Sequence, residues 1–231
     1  MIAIILNSGR GSRLGKYTEE IPKCMVDIGE GETIISRQLT ILKQCGIEKI
    51  IITTGYLQDL LIDYVKRLYI GLNISYCYND EYMVTNYIES LNRVPFINED
   101  CLLLHGDLIF DKDILDDIIA FSGSCIIADS SAPLPEKDFK ARVNNGNVKK
   151  IGVDVFGEDA VSVQPLYKLT TADWKLWKER IALFCKQGIK NVYAENALNE
   201  VLDVIDLQMV EVNGKFCGEI DNEEDLLKYT R

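Results

Sequence analysis

Seven cysteines without a C-x-x-C pair, five prolines and a single histidine leave this 231-residue chain without the marks of several protein classes. The cysteines, at 24, 45, 77, 101, 125, 185 and 217, are odd in number, lack metal-ligand spacing and partly lie inside apolar runs. They read as reduced, mostly buried thiols, which excludes a disulfide frame and a zinc site. Positive charge is in deficit: 25 Lys and Arg stand against 36 Asp and Glu, a net charge of −11. That balance excludes the broad basic face that nucleic acid or an anionic membrane surface requires. No apolar run approaches the roughly 20 residues that span a bilayer, and the apolar start, residues 2–6, is too short and uncharged at its flank for a signal peptide. The expectation is a cytoplasmic protein with no membrane partner. No Pro/Gly/Ser-rich linker, repeat or low-complexity tract interrupts a chain that is 47% hydrophobic, so residues 1–231 read as a single domain with a sizeable core.

What is present is concentrated at the start. The first strand runs into Leu6-Asn7-Ser8-Gly9-Arg10-Gly11-Ser12-Arg13-Leu14, and Ile21-Pro22-Lys23 closes the segment. Glycine-spaced backbone lets N–H groups approach an anion, and arginine and lysine add the charge that a polyphosphate needs. Two better-known glycine motifs do not fit. A Rossmann fingerprint needs glycine where Leu14 stands and an acid about twenty residues on, where a turn around Gly29-Glu30-Gly31 is found instead. Gly9 to Lys16 does not supply the order of a Walker A loop.

Apolar runs alternate with helix-period segments: strands at 2–6, 49–54, 73–78, 100–105 and 124–129, helices at 33–45, 57–69, 85–93 and 111–121. This is the pattern of β-α-β units on a mostly parallel sheet, with ligand sites at the carboxyl ends of strands. After Ser130 the texture changes. Residues 138–143 and 148–153 flank Asn144-Asn145-Gly146-Asn147 and predict a hairpin, 161–166 a strand, and 171–186 a helix whose Trp174 and Trp177 read as packing residues. The division expected is a core over 1–130, an acceptor-side subdomain of hairpin and helix over 131–205, and a return to the core over 206–231.

The opening loop, Ile21-Pro22-Lys23, helix 33–45, the strand ending in Gly55-Tyr56, and His105-Gly106-Asp107 come in an order that resembles the nucleotidyltransferases acting on sugar 1-phosphates and small phosphorylated alcohols. Their usual opening is L-A-A-G-x-G-[ST]-R-[LM], from which Asn7-Ser8 departs. Tyr78-Asn79-Asp80-Glu81-Tyr82 with Thr85-Asn86-Tyr87-Ile88-Glu89-Ser90-Leu91 is similar to the branch that includes phosphocholine cytidylyltransferase. The resemblance covers nearly the whole chain, is strongest over the first 110 residues and is faint after Ser130. It implies an α/β, Rossmann-like fold of the nucleotide-diphospho-sugar transferase type. It also implies Mg²⁺-dependent transfer of CMP from CTP to a small phosphorylated or phosphonylated acceptor, with release of pyrophosphate.

The resemblance assigns Arg13 to the β/γ-phosphates, Lys23 to the α-phosphate and metal ligation to Asp107 and Asp221, with Glu219 as the alternate to Asp221. On residue chemistry, carboxylates beside phosphate oxygens suit a hard Mg²⁺, Arg offers a fork and Lys a point charge. Asp107 could instead cap its turn, and Asp221 the terminal helix. Nucleotide contacts are expected from Leu6, Asn7, Ser8, Gly9, Gly11, Ser12, Arg13 and Lys23; Tyr78, Asn79 and Tyr82 either flank the base or pack. His105 reads as a local hydrogen-bonding residue that sets the Asp107 turn. On the acceptor side, Lys140 and Arg142 share one face of a predicted strand, which is either solvated or anion-binding, and Glu195 could face an amine. In choline-type enzymes an aromatic residue precedes an acid-Asn pair where Tyr193-Ala194-Glu195-Asn196 has alanine, so half of an aromatic cage is expected to be missing. That favours 2-aminoethylphosphonate or a phosphorylated amino-acid derivative over phosphocholine. The alternatives are a sugar-1-phosphate nucleotidyltransferase using UTP or dTTP, and a nucleotide sensor without chemistry. The oligomeric state, a homo-oligomer included, stays open.

Overall fold

Residues 1–68 and 71–229 are described by the computed structural model. The first half of the chain forms β1 (Ile2–Asn7), β2 (Asp27–Gly29), β3 (Glu32–Thr33), α1 (Ile34–Gln44), β4 (Lys49–Thr54), α2 (Gln58–Leu68), β5 (Asn73–Tyr78), α3 (Tyr87–Arg93), β6 (Cys101–His105), β7 (Leu108–Phe110) and α4 (Lys112–Ala120). The second half forms β8 (Ser124–Asp129), β9 (Lys140–Asn144), β10 (Asn147–Gly152), β11 (Ala160–Leu169), α5 (Thr171–Lys186), α6 (Ala194–Asn199), β12 (Leu207–Glu211), β13 (Cys217–Glu219) and α7 (Glu223–Tyr229). The helix expected at 57–69 begins one residue later, because Leu57 has a positive φ of 49°, and residue 69 lies outside the described residues.

Strand periodicity builds the core. Ala3 and Ile5 of β1 join one apolar cluster and Ile4 the other, and Ile50, Ile52 against Ile51 on β4 repeat the split, as do Leu102, Leu104 against Leu103 on β6. Alternate side chains point to opposite faces, so a continuous Ile/Leu run is what a strand covered on both sides requires. Leu39, Leu61 and Ile114 bring α1, α2 and α4 to one face, while Leu91, Trp177 and Ala197 bring α3, α5 and α6 to the other.

One nine-stranded sheet results, in the order β5-β4-β1-β6-β11-β8-β12-β10-β9. β5, β4, β1 and β6 run parallel, and β11 is antiparallel between β6 and β8. Strands of the segment 131–205 join this same sheet. The strand read at 161–166 extends over Ala160–Leu169 and lies inside the sheet, and β9 pairs with its start while β10 reaches β12. Local pattern marks such a strand but not which distant strands it pairs with. The hairpin turn is as expected, with Asn145 and Gly146 both at positive φ, but residues 138 and 139 precede β9 and belong to the loop.

Register places the functional loops. Leu6 of β1 stands opposite His105 of β6, so the loops that leave both strands emerge side by side. β13 pairs with β7, and Ile220 N–H donates to the Asp107 carbonyl at 2.9 Å, bringing the end of the chain against the β6 turn. A third cluster, including Leu14, Ile109, Ile220 and Leu226, locks the glycine loop to this returning segment.

Candidate active site

The glycine loop wraps a hollow of about 250 Å³ lined by Asn7, Gly9, Gly11, Ser12, Arg13 and Lys23. Gly11 has φ of 68°, and a Cβ there would lie 2.7 Å from Lys23 Cβ. Its glycine is therefore required by left-handed backbone and by the lysine packed beneath it. The Gly11 carbonyl then accepts from Leu14 N (3.1 Å) and Thr18 Oγ1 (3.0 Å), which curls the chain into the short 3₁₀ turn Ser12–Thr18. Of the four cations in this segment only Arg13 and Lys23 line the hollow; Arg10 lies over the Tyr56 ring and Lys16 pairs with Glu223. The Asn7 side chain is buried, and its Nδ2 has no hydrogen-bond partner among the described residues.

Charge converges at Asp107. Lys23 Nζ lies 2.5 Å from Asp107 Oδ2 and 2.8 Å from Asp221 Oδ1, and Arg13 Nη2 reaches the same Asp221 oxygen at 2.8 Å. Burial alone would raise the Asp107 pKa, but Lys23 and then His105 outweigh it and hold the carboxyl below its ordinary value. Lys23 is likewise disfavoured by burial, yet Asp107 and Asp221 hold its pKa above the usual lysine range. Neither aspartate caps a helix. Asp111 occupies the N-cap of α4, and Asn222 Oδ1 accepts from Glu224 N and Asp225 N at the start of α7, which frees Asp221 for the cations.

Glu219 adds a third carboxylate. Burial and then the Asp107 charge push its pKa up to about 7 against the pull of His105, whose Nδ1 is 3.2 Å from Glu219 Oε1. His105 therefore does not bond locally, as expected from sequence, but bridges to β13; burial opposes its charge, and Glu219 holds its pKa above the usual value. His105, Asp107 and Glu219 offer ligand atoms within 4.8 Å of one another, as do Asp138, Glu219 and Asp221. Asp107 Oδ1 is buried without a partner among the described residues. Oxygen donors at this density, one of them unsatisfied, fit a hard divalent cation.

Two further hollows open on Asp107, which lines both of them and the hollow under the glycine loop. One, of about 330 Å³, is bounded by Leu6, Ser8, Asn79, Tyr82, Asn86 and Tyr87. Asn79 is a buried brace there, with Nδ2 donating to Thr85 Oγ1 and Ser90 Oγ. Tyr78 is not brought in: it lies 45% exposed at the end of the edge strand β5.

The other hollow, of about 320 Å³, is walled by Tyr87, Phe139 and Tyr193 and carries Arg13, Lys137 and Asp138. The sequence-based acceptor residues are corrected here. Lys140 is fully buried, its Nζ donating to the Pro135 carbonyl at 2.7 Å and lying 4.3 Å from the Phe156 ring centroid. Arg142 is exposed and paired with Asp159 at 3.0 Å. Buried Glu195 has both oxygens engaged, accepting from Tyr167 Oη at 2.9 Å and from Tyr87 Oη. None of the three lines the hollow. Ala194, which stands where the choline-type pattern has an aromatic residue, is buried, and Tyr193 beside it meets Phe139 at 5.0 Å and Tyr87 at 6.0 Å between ring centroids. Sequence reasoning left Tyr87, Lys137, Asp138, Phe139 and Tyr193 without a role. Tyr87 carries a signal as part of the Thr85–Leu91 motif, and Tyr193 as the first residue of Tyr193-Ala194-Glu195-Asn196.

The model of the MobA-like NTP transferase domain matches residues 3–196. The chain is 26% identical to the CTP:phosphoglutamine cytidylyltransferase of Campylobacter jejuni, over 98% of both chains. It is also 26% identical to the choline-phosphate cytidylyltransferase of Haemophilus influenzae, over 97% of this chain and 94% of that one. The solved CTP:phosphocholine cytidylyltransferase of Streptococcus pneumoniae superposes with a TM-score of 0.79 at 21% identity, covering 98% of this chain and 96% of that one, and so shares the fold.

Proposed function

The chain is a nucleotidyltransferase of the MobA-like NTP transferase family, and we propose that it transfers CMP from CTP to a small phosphorylated or phosphonylated acceptor, releasing pyrophosphate. The observation that carries this reading is the meeting of phosphate, base and acceptor hollows at Asp107, with Lys23 held between Asp107 and Asp221. The choice of CTP rests on the relatives, one named for phosphoglutamine and one for choline phosphate.

An acceptor phosphate is mostly dianionic at neutral pH, so its oxygen attacks the α-phosphorus without a strong general base. The bond from the α-phosphorus to the bridging oxygen breaks, and pyrophosphate carries away the electron pair. What this chain must supply is alignment and charge. Lys23, fixed by two carboxylates, presents its ammonium where charge redistributes at the α-phosphate. Arg13, which lines both the phosphate and acceptor hollows, faces the phosphates on either side of the transfer. Asp107 and Asp221, with Glu219 beside them, are the residues that would hold Mg²⁺. Bound there, the ion would neutralise phosphate charge and orient the leaving group.

The test is a matrix of CTP, UTP, dTTP and GTP against choline phosphate, phosphorylated amino-acid derivatives, aminophosphonates and glucose 1-phosphate, with and without Mg²⁺, read by pyrophosphate release. Release confined to CTP and to the non-sugar acceptors in the presence of Mg²⁺ is expected. Equal rates with UTP, or turnover of glucose 1-phosphate alone, would remove the cytidylyl assignment.

A further inference from the structure

We propose that the acceptor hollow is built for a zwitterion, with Lys137 receiving the carboxylate and Asp138 the ammonium of the acceptor's amino-acid head. The inference rests on the transfer reading above and specifies its substrate class.

Lys137 and Asp138 line both the acceptor hollow and a wider hollow of about 640 Å³ next to it, as Arg13, Glu219 and Asp221 do. Neither has an ion-pair or hydrogen-bond partner among the described residues, in a chain where Arg13, Lys23, Arg93, Arg142 and Lys190 are all engaged by carboxylates. An adjacent cation and anion, both unengaged, match a ligand carrying the opposite pair.

The loop that presents them is fixed at both ends. Asp129 Oδ1 accepts from Ser131 N (3.0 Å), Ser131 Oγ (2.7 Å) and Ala132 N (3.1 Å) at its start. Lys140 Nζ donates to the Pro135 carbonyl (2.7 Å) and lies 3.4 Å from that of Glu136 at its end. Pro133 and Pro135, two of the five prolines in the chain, stiffen the stretch between. Burying a lysine is costly unless its ammonium is satisfied, and here the cation is used to shape backbone. Ordering a recognition loop before the ligand arrives lowers the entropy lost on binding.

Charge around the hollow explains why both groups are needed. Asp138, Glu219 and Asp221 cluster on its acidic side, where a bare carboxylate would be repelled; Arg13 is held by Asp221, and Lys137 is the unpaired cation that makes one acceptable. Phe139 and Tyr193 set edge against face at 5.0 Å and wall the hollow that Asp107 also lines, which suits an aliphatic stem and gives an ammonium an aromatic neighbour. An acceptor with phosphate at one end and an amino-acid head at the other engages every one of these groups. A simple amine or a quaternary ammonium leaves Lys137 unmatched.

The experiment uses matched acceptors that differ by one carboxylate: O-phosphoserine against phosphoethanolamine, and 2-amino-4-phosphonobutyrate against 3-aminopropylphosphonate, each at saturating CTP. For at least one pair kcat/KM is expected to favour the zwitterion by about tenfold or more, the size of discrimination a site gains from pairing a polar group. Lys137→Ala should bring that ratio to about one, and Lys137→Glu should invert it, with the loss in acceptor KM. Lys137→Arg should keep the preference. Pyrophosphate release with the amines or choline phosphate but no preference for either zwitterion, or a preference unmoved by Lys137→Glu, overturns the inference and leaves the transfer reading intact. No release with any acceptor overturns both.

Discussion

The side of the cleft read as the nucleotide's and the side read as the acceptor's share Asp107 and are made in different ways. On the nucleotide side, the charged residues that look like ligands in the sequence are the ones that line the hollow: Arg13 and Lys23 come from one loop, held by Asp107 and Asp221. On the acceptor side the conspicuous charges are scaffolding. Lys140 and Glu195 are buried and satisfied by carbonyls and tyrosine hydroxyls, while their neighbours Lys137, Asp138 and Tyr193 line the space. A charged residue's type does not tell whether it lines the cleft or holds the wall; where the fold places its charged end does.

That contrast can be broken hardest at the shared residue. Asp107→Asn keeps the side-chain shape and removes the charge, so turnover should fall by about 10²-fold or more while thermal unfolding stays near that of the parent. Near-parental pyrophosphate release would make Asp107 a purely structural group. On the nucleotide side alone, Lys23→Ala should lower kcat by about 10–10²-fold more than it raises the KM for CTP, because its charge acts where the transition state gathers charge. Arg13→Ala should instead weaken CTP binding; steady-state kinetics showing the reverse pattern would exchange the two roles.

Glu219 sharpens the comparison through stability. Its folded pKa, about 7, lies above the ordinary carboxylate value, so between that value and about 7 the folded protein binds the extra proton. Stability is therefore lost as pH rises through this window. In metal-free protein, Glu219→Gln should raise Tm by roughly 2–4 °C at pH 8, with the advantage vanishing as pH falls below about 4.5, the sign a strained site carboxylate predicts. An unchanged or lowered Tm at pH 8 would mean that Glu219 is well accommodated. The smallest effect should come from the acceptor wall. Lys140→Met strands the Pro135 and Glu136 carbonyls, so Tm should fall by a few degrees, about 1–3 kcal/mol, and the acceptor KM should rise more than that for CTP. A change confined to CTP would show that the loop serves the nucleotide.

How much could be read in advance follows the same division. Helices and parallel strands over the first 129 residues are local patterns, and each strand's faces follow from period two, as Ile4 and Ile5 show. The glycine loop was equally legible, since Gly11 and Lys23 are close in the chain. Asp221 was reachable only through resemblance. Its freedom from capping depends on Asn222 taking that task, and its meeting with Lys23 depends on β13 pairing with β7 across more than a hundred residues. The acceptor wall was misread because a two-residue alternation at Lys140 and Arg142 says that they share a face, not whether that face is solvent, cleft or core.

By itself, then, the order of residues determined an α/β chain with a glycine-spaced, cation-bearing loop at the end of its first strand, because short-range periodicity, glycine freedom and charge density act between near neighbours. Only the tertiary structure decided that β11 enters the sheet between β6 and β8, that His105 bridges to Glu219, and that Lys137 and Asp138 line the hollow while Lys140 is buried. The physical reason is that burial and hydrogen-bond satisfaction are set by whatever long-range pairing places beside a residue, so a charge lines the cleft in one place and braces a buried wall in another.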